Sequence, residues 1–275
     1  MSQNIVAALS AGKFKKLFVF VAAALMLSGC GQSSNENANK DAAVKNEATP
    51  VAVQQTIRVG SSADYPPFEY IDEHNKIVGF EIDMIEAVGK KIGVKFDVQN
   101  MSFDGLIPAI KSGKIDMIAS GMSATPARKK AIDFTAPYYK VENLYVKRKD
   151  DSSLNSKADL QGKRLAAQLG TIQELAIRDI KGAEVSATEN VFVAVMSLKN
   201  KKIDALCVDS SVGYEYLKKN DDLTAFFKES DGSEGFSIAF DKGKYPELLA
   251  KFNAALEEMK KDGSYEKLLE KYNLK

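Results

Sequence analysis

Ile107-Pro108-Ala109-Ile110-Lys111-Ser112-Gly113-Lys114-Ile115-Asp116 returns, 88 residues later, as Val195-Met196-Ser197-Leu198-Lys199-Asn200-Lys201-Lys202-Ile203-Asp204. In each copy apolar residues three apart share one helix face, a lysine follows, and an Ile-Asp step opens an apolar strand. Upstream of each copy another strand enters a loop. Ile57-Arg58-Val59-Gly60 leads into Ser61-Ser62, and Arg164–Ala167 leads into Gln168-Leu169-Gly170-Thr171. Two similar α/β units predict two lobes of about a hundred residues each.

Working outward, Ser61–Pro67 reads as a loop because Pro66-Pro67 excludes regular structure. Phe68–Ile71 and Lys76–Phe80 flank a polar turn and predict a hairpin. Glu81–Ile92 is apolar at near-helical spacing and stops at Gly93. Strand Val94–Val98, helix Phe103–Lys111 and strand Ile115–Ala119 complete the first unit. The second carries strand Ile203–Val208 and a helix around Val212–Leu217. Beyond it, Gly235–Phe240 reads as a strand, and helices are expected at Glu247–Lys260 and Ser264–Lys271.

The first 29 residues hold Lys13, Lys15 and Lys16, no acid, and the apolar run Leu17–Leu27. Eleven helical residues reach about 16 Å, against a bilayer core of about 30 Å, so this is a secretory leader rather than a span. Leu27-Ser28-Gly29-Cys30 resembles the lipobox of bacterial lipoproteins, which implies cleavage before Cys30 and lipidation of its thiol. Residues 30–55 are rich in Asn, Ser, Ala, Lys and Glu, and predict a flexible tether. Losing the leader lysines takes the formal charge from +1 to −2, a balance that argues against a nucleic-acid partner. With Cys30 lipidated, Cys207 has no partner and reads as a buried strand thiol. His74 is the only histidine, which argues against a zinc site, and no cofactor is expected.

In open α/β sheets, ligands bind beyond the carboxyl ends of strands. There the first unit offers Ser120–Arg128, with exposed amides, hydroxyls and one arginine, whose planar fork suits a carboxylate. The second offers Asp209, an acceptor for an ammonium, and donors at Gln168, Gly170, Thr171 and Gln173. A zwitterion held between the lobes satisfies both. Each feature also has a plain alternative. Arg128-Lys129-Lys130 could be a solvated helix face, Asp209 a helix cap, and Tyr65 ordinary loop packing.

From about residue 56 to 275 the chain resembles the bacterial extracellular solute-binding proteins of family 3, the amino-acid-binding proteins of polar amino-acid ABC importers. The resemblance is carried by Ala63-Asp64-Tyr65-Pro66-Pro67-Phe68-Glu69-Tyr70, Val78-Gly79-Phe80-Glu81-Ile82-Asp83, Phe103–Pro108, Ser123–Arg128, Ile132–Thr135, Gln168–Thr171 and Asp262–Tyr265. It implies a two-lobed α/β fold of the type II periplasmic-binding-protein kind, hinged on two crossover strands. One lobe would hold residues 56–142 and 238–275, the other 143–237. It further implies that Arg128, Ser123 and Thr171 take an α-carboxylate, and that Asp209, Gly121 and Ser123 take an α-ammonium. Tyr65 and Phe103 would pack on the side chain, whose far end meets Ser62, Glu81, Gln168 and Gln173. Some basic-amino-acid binders carry an aspartate where Ser62 stands, which leaves Glu81 as the counter-charge for arginine or lysine. Glu81 could equally favour its helix N-terminus, and polar neutral ligands stay open. The implied protein is a monomer, lipid-anchored outside the cytoplasm, serving an ABC permease and ATPase. The alternatives are a dehydratase of cyclic aromatic-amino-acid precursors and a sensor acting through a separate partner.

Overall fold

The computed structural model describes residues 55–275. Strand β1 (Thr56–Ser61) buries Ile57, Val59 and its whole carboxyl end. A small antiparallel sheet follows, formed by β2 (Asp64–Tyr65), β3 (Glu69–Ile71) and β4 (Ile77–Val78). The predicted hairpin is present. The predicted loop before it contains β2, because Tyr65 pairs with Glu69 across the Pro66-Pro67 turn.

Helix α1 (Phe80–Ile92) ends on Gly93 in the left-handed conformation, φ 74°. After β5 (Lys95–Asn100), the expected helix Phe103–Lys111 divides into a 3-10 turn at Phe103–Gly105 and α2 (Leu106–Lys111). Pro108 is tolerated in the first turn of α2, where backbone N–H groups have no helical partner. Strand β6 (Met117–Ile118) is shorter than expected, since the chain turns at Ser120-Gly121, with Gly121 at φ 48°. Short α3 (Pro126–Lys129) and β7 (Ile132–Phe134) close this part.

The chain then crosses into β8 (Glu142–Arg148), β9 (Arg164–Gln168), α4 (Ile172–Arg178), β10 (Glu184–Thr188), α5 (Val191–Lys199), β11 (Ala205–Asp209), α6 (Ser210–Lys218) and β12 (Leu223–Ser230). It returns through β13 (Ala239–Asp241), α7 (Pro246–Lys261) and α8 (Ser264–Lys271). The strand expected at Gly235–Phe240 starts only at Ala239. Phe236 instead bridges Ser123 and Tyr139, so that the returning segment pairs with the outgoing one. Phe236 N–H donates to Tyr139 O at 2.8 Å, and Tyr138 N–H donates to Phe236 O at 2.9 Å.

The two five-stranded sheets have matching topology. Their orders are β5-β1-β6-β13-β7 and β10-β9-β11-β8-β12. In each, the first three strands run parallel and the fourth is antiparallel to both its neighbours. The sequence repeat falls on equivalent places, α2–β6 and α5–β11. It ends both times in the same clamp. Asp116 accepts from the Arg58 guanidinium at 2.8 Å twice, and Asp204 accepts from Arg164 at 2.6 and 3.2 Å. Each aspartate also accepts from its arginine's backbone N–H. The Arg58 hydrogen bonds hold the Asp116 carboxyl down at about 2.

Both sheets are covered on both faces, as parallel strands require. Phe80, Met84, Ile85 and Val88 of α1 join Phe252, Leu256 and Met259 of α7 on one face of the first sheet. Leu106, Ile110, Ile115, Ile118 and Ile132 pack together in a separate cluster. In the second sheet, Cys207 is buried with Tyr145, Leu165 and Ile177, and burial raises its thiol well above the usual range. Among the described residues, no helix is long and apolar enough to cross a membrane, and no three His, Cys, Asp or Glu residues gather as metal ligands. The leader, Cys30 and nearly all of the tether lie outside the described residues.

Candidate ligand-binding cleft

The carboxyl ends of β1, β6, β9 and β11 converge on one cavity, with about 290 Å³ not filled by atoms. Asp209 is the last residue of β11 and stands at the N-cap position of α6, but its side chain makes no capping bond. Its carboxylate turns into the cavity. Oδ2 accepts from the Tyr65 hydroxyl of the opposite sheet's side, and Oδ1 accepts from Gln173 Nε2 at 2.9 Å. Gln173 is fixed in turn by Asn143 Oδ1 at 3.0 Å. Burial pushes the Asp209 carboxyl up to about 7, against the pull of Tyr65, Arg128 and Gln173.

Arg128 lies in α3, where the Thr125 hydroxyl caps its backbone N–H at 3.2 Å and Pro126 opens the turn. The guanidinium does not run out along a solvated face. It donates to Ser123 O at 2.9 Å and, across the cleft, to Gly170 O at 3.0 Å, with its carbon 5.4 Å from the centre of the Phe103 ring. Burial lowers its pKa to about 10, so the group is still cationic at neutral pH, and it senses the charge of Asp209.

Further contacts join the two sides. Gln168 Nε2 donates to Ser62 Oγ at 3.4 Å and Asp64 Oδ2 at 3.3 Å, and Val191 N–H donates to the same Asp64 oxygen at 3.2 Å. The Thr171 hydroxyl caps α4 by accepting from Glu174 N–H at 3.2 Å and donates to Gln168 O at 2.6 Å. Cation and anion thus come from opposite sheets and face one enclosed space, the arrangement a zwitterion needs for both of its charges to be paired on burial.

The sequence profile of the bacterial extracellular solute-binding proteins, family 3, matches residues 57–275. The chain belongs to that family. The probable histidine-binding protein of Campylobacter jejuni is 43% identical to this family 3 protein over 262 residues, covering 95% of the chain and 99% of that relative. The arginine-binding extracellular protein ArtP of Bacillus subtilis is 37% identical, covering 94% and 97%. Among solved structures, an ancestral arginine-binding protein bound to arginine superposes with a TM-score of 0.76 at 41% identity, covering 79% of this chain and 97% of that one. The same kind of protein bound to glutamine gives 0.74. The type II two-lobed fold expected from the motifs is the fold of these neighbours.

In this family 3 protein the cavity brings together Ser62, Tyr65, Phe103, Gly121, Ser123, Arg128, Gln168, Thr171, Gln173 and Asp209. Glu81 is the exception. It is fully buried, accepts from Gly121 N–H at 2.7 Å, and does not line the cavity. The glutamate that does is Glu69, and Ser120 and Ile172 line the cavity as well. Sequence reasoning missed Glu69 because alternation along Phe68–Ile71 assigns it to the outer face. The structure buries Phe68 and Glu69 alike where the strand begins, and leaves Ile71, on the same face as Glu69, 44% exposed. The available signal was its place in the Pro66-Pro67-Phe68-Glu69 motif, one strand from Tyr65.

Proposed function

We propose that this chain captures an L-amino acid outside the cytoplasm and delivers it to the permease of an ABC importer. The observation that carries this is the meeting of Arg128 and Asp209, from opposite sheets, at one buried cavity. Arg128 takes the α-carboxylate, with Ser123 and Thr171. Asp209 takes the α-ammonium, releasing the Tyr65 hydroxyl that now holds it. Glu69 and its surroundings favour a cationic side chain, arginine or lysine first, with histidine and polar neutral side chains following. The amino-acid-binding names of the relatives support this reading over a dehydratase.

The moving bodies are one lobe of residues 56–142 and 238–275 and another of 143–237, hinged where Tyr138-Tyr139 and Phe236 pair. Ligand touching both lobes favours the closed form. Leu27-Ser28-Gly29-Cys30 supports export and a lipid anchor, and Cys30→Ser should leave the protein out of the membrane fraction. The deciding experiment is a thermal-shift screen of residues 31–275 against the twenty amino acids. A ligand at a hundred times its Kd should stabilise by about 2.7 kcal/mol. No shift with any of them removes the proposal.

A further inference from the structure

Glu69 follows the Pro66-Pro67 turn on β3, and Glu81 stands in the first turn of α1. Gly79 brings these segments together. A Cβ on it would meet Phe68 O at 2.2 Å, and beside it Phe80 and Glu81 N–H groups donate to Pro67 O and Phe68 O at 2.9 Å. Glu69 meets the Ser120 hydroxyl and Glu81 the N–H of the next residue, Gly121, which sets the two buried carboxyls side by side behind the cavity. Two carboxylates have only acceptors, so such a contact needs a proton on one of them. As carboxylates, Glu69 Oε2 and Glu81 Oε1 are left buried with no hydrogen-bond partner among the described residues.

Their other neighbours supply no cation. Glu69 Oε1 accepts from the Ser120 hydroxyl at 3.4 Å, and Asp64 of β2 adds to the negative field around it. Tyr138, from the outgoing crossing, faces Glu81 with its hydroxyl. Among the described residues no lysine, arginine or histidine bonds either carboxyl. Burial raises both acids, and Glu69 further still through the charge of Glu81. Only Glu69 of the pair reaches the cavity.

We infer that Glu69 and Glu81 act as one proton-sharing acid pair that determines the charge of the side chain the cavity accepts. Holding two protons, the pair is neutral and suits a neutral amide. Holding one, it presents a single negative charge, the match for a side chain of charge +1. The second negative charge is withheld, because adjacent buried carboxylates do not both ionise readily. A cationic side chain therefore drives one proton from the doubly protonated pair into solvent, and a neutral one does not. The inference rests on the amino-acid reading above and deepens it. It also fits two structural neighbours, each an ancestral arginine-binding protein, one bound to arginine and the other to glutamine.

The test compares arginine with citrulline, its neutral isostere, by titration calorimetry between pH 5 and 8. Asp209 also titrates in this range, but it meets the α-ammonium common to both ligands, so its contribution cancels in the affinity ratio. The arginine-to-citrulline ratio should climb with pH by up to tenfold per unit, the limit for one proton, and then level off. Arginine should release more protons than citrulline in buffers of differing ionisation enthalpy. In the Glu69→Gln/Glu81→Gln double variant the ratio should fall at least tenfold at pH 8 and become independent of pH. Loss of packing alone would weaken both ligands and leave their ratio unchanged. A wild-type ratio constant across the range overturns the inference, whether or not the double variant folds, as does citrulline failing to bind at pH 5 while arginine binds. If no amino acid binds at any pH, the proposed function fails and the inference goes with it.

Discussion

Arg128 and Asp209 show how one side chain can be read two ways until its surroundings are known. Arg128 sits in a basic run, yet only it turns inward, because α3 is a single turn capped by Thr125 and aimed at the cavity. Asp209 occupies a cap position but spends its oxygens on Tyr65 and Gln173. Removing either leaves a buried ligand charge without its partner, which costs about 2–5 kcal/mol, or about 1.5 to 3.5 decades of affinity. Arg128→Ala and Asp209→Ala should each bring calorimetric binding of the preferred amino acid close to undetectable. Wild-type affinity in either would refute its role. Most of the cavity was legible at this scale, since strand ends and hydroxyl-rich loops announce themselves. Glu69 was not, because burial of a charged residue depends on a neighbouring acid and on a helix that folds over it, neither of which alternation encodes.

Among elements, the junction between β3 and α1 is the most constrained. Gly79 has φ 139°, a backbone conformation L side chains rarely adopt, and no space for a Cβ against Phe68 O. Gly79→Ala should therefore destabilise the protein by more than about 1 kcal/mol, read from the midpoint of urea unfolding, and should displace Glu81 from Glu69. Unchanged stability would mean the junction is softer than its geometry implies. Helices α1, α7 and α8 were readable to within a residue or two from apolar periodicity and glycine stops. Strands β8, β10 and β12 were not announced by the sequence pattern. Residues of β10 are largely exposed, and β12 is an edge strand with a register shift between Ala225 and Phe227, so neither carries a clean alternation. The repeated Arg–Asp clamp does what periodicity could not, tying each repeat's last residue to the parallel strand upstream of it in its own sheet.

For the whole molecule, the buried acids set how stability varies with pH. Asp209 is raised in the folded state to about 7 from an ordinary value near 4, so the folded protein binds more protons than the unfolded chain between those values. Stability of the ligand-free protein should accordingly fall as pH rises from about 4 to about 7. Glu69 and Glu81, also raised, act in the same direction. Asp116 and Asp262, held at about 2, act oppositely and only in strong acid, where their contribution is lost as pH falls. Thermal melts at pH 4.5 and 7 check this, and a higher melting temperature at pH 7 would contradict it.

Cys207 offers a practical opening. It is the only cysteine in residues 31–275, is 1% exposed, and has a thiol that resists ionisation. Thiolate is the reactive species, so a maleimide dye would pass over it. A cysteine introduced at exposed Phe192 or Leu175 on the second sheet's helices would then be the single labelling site. An environment-sensitive dye there would turn lobe closure into an optical signal, giving an amino-acid reporter that needs no removal of native thiols.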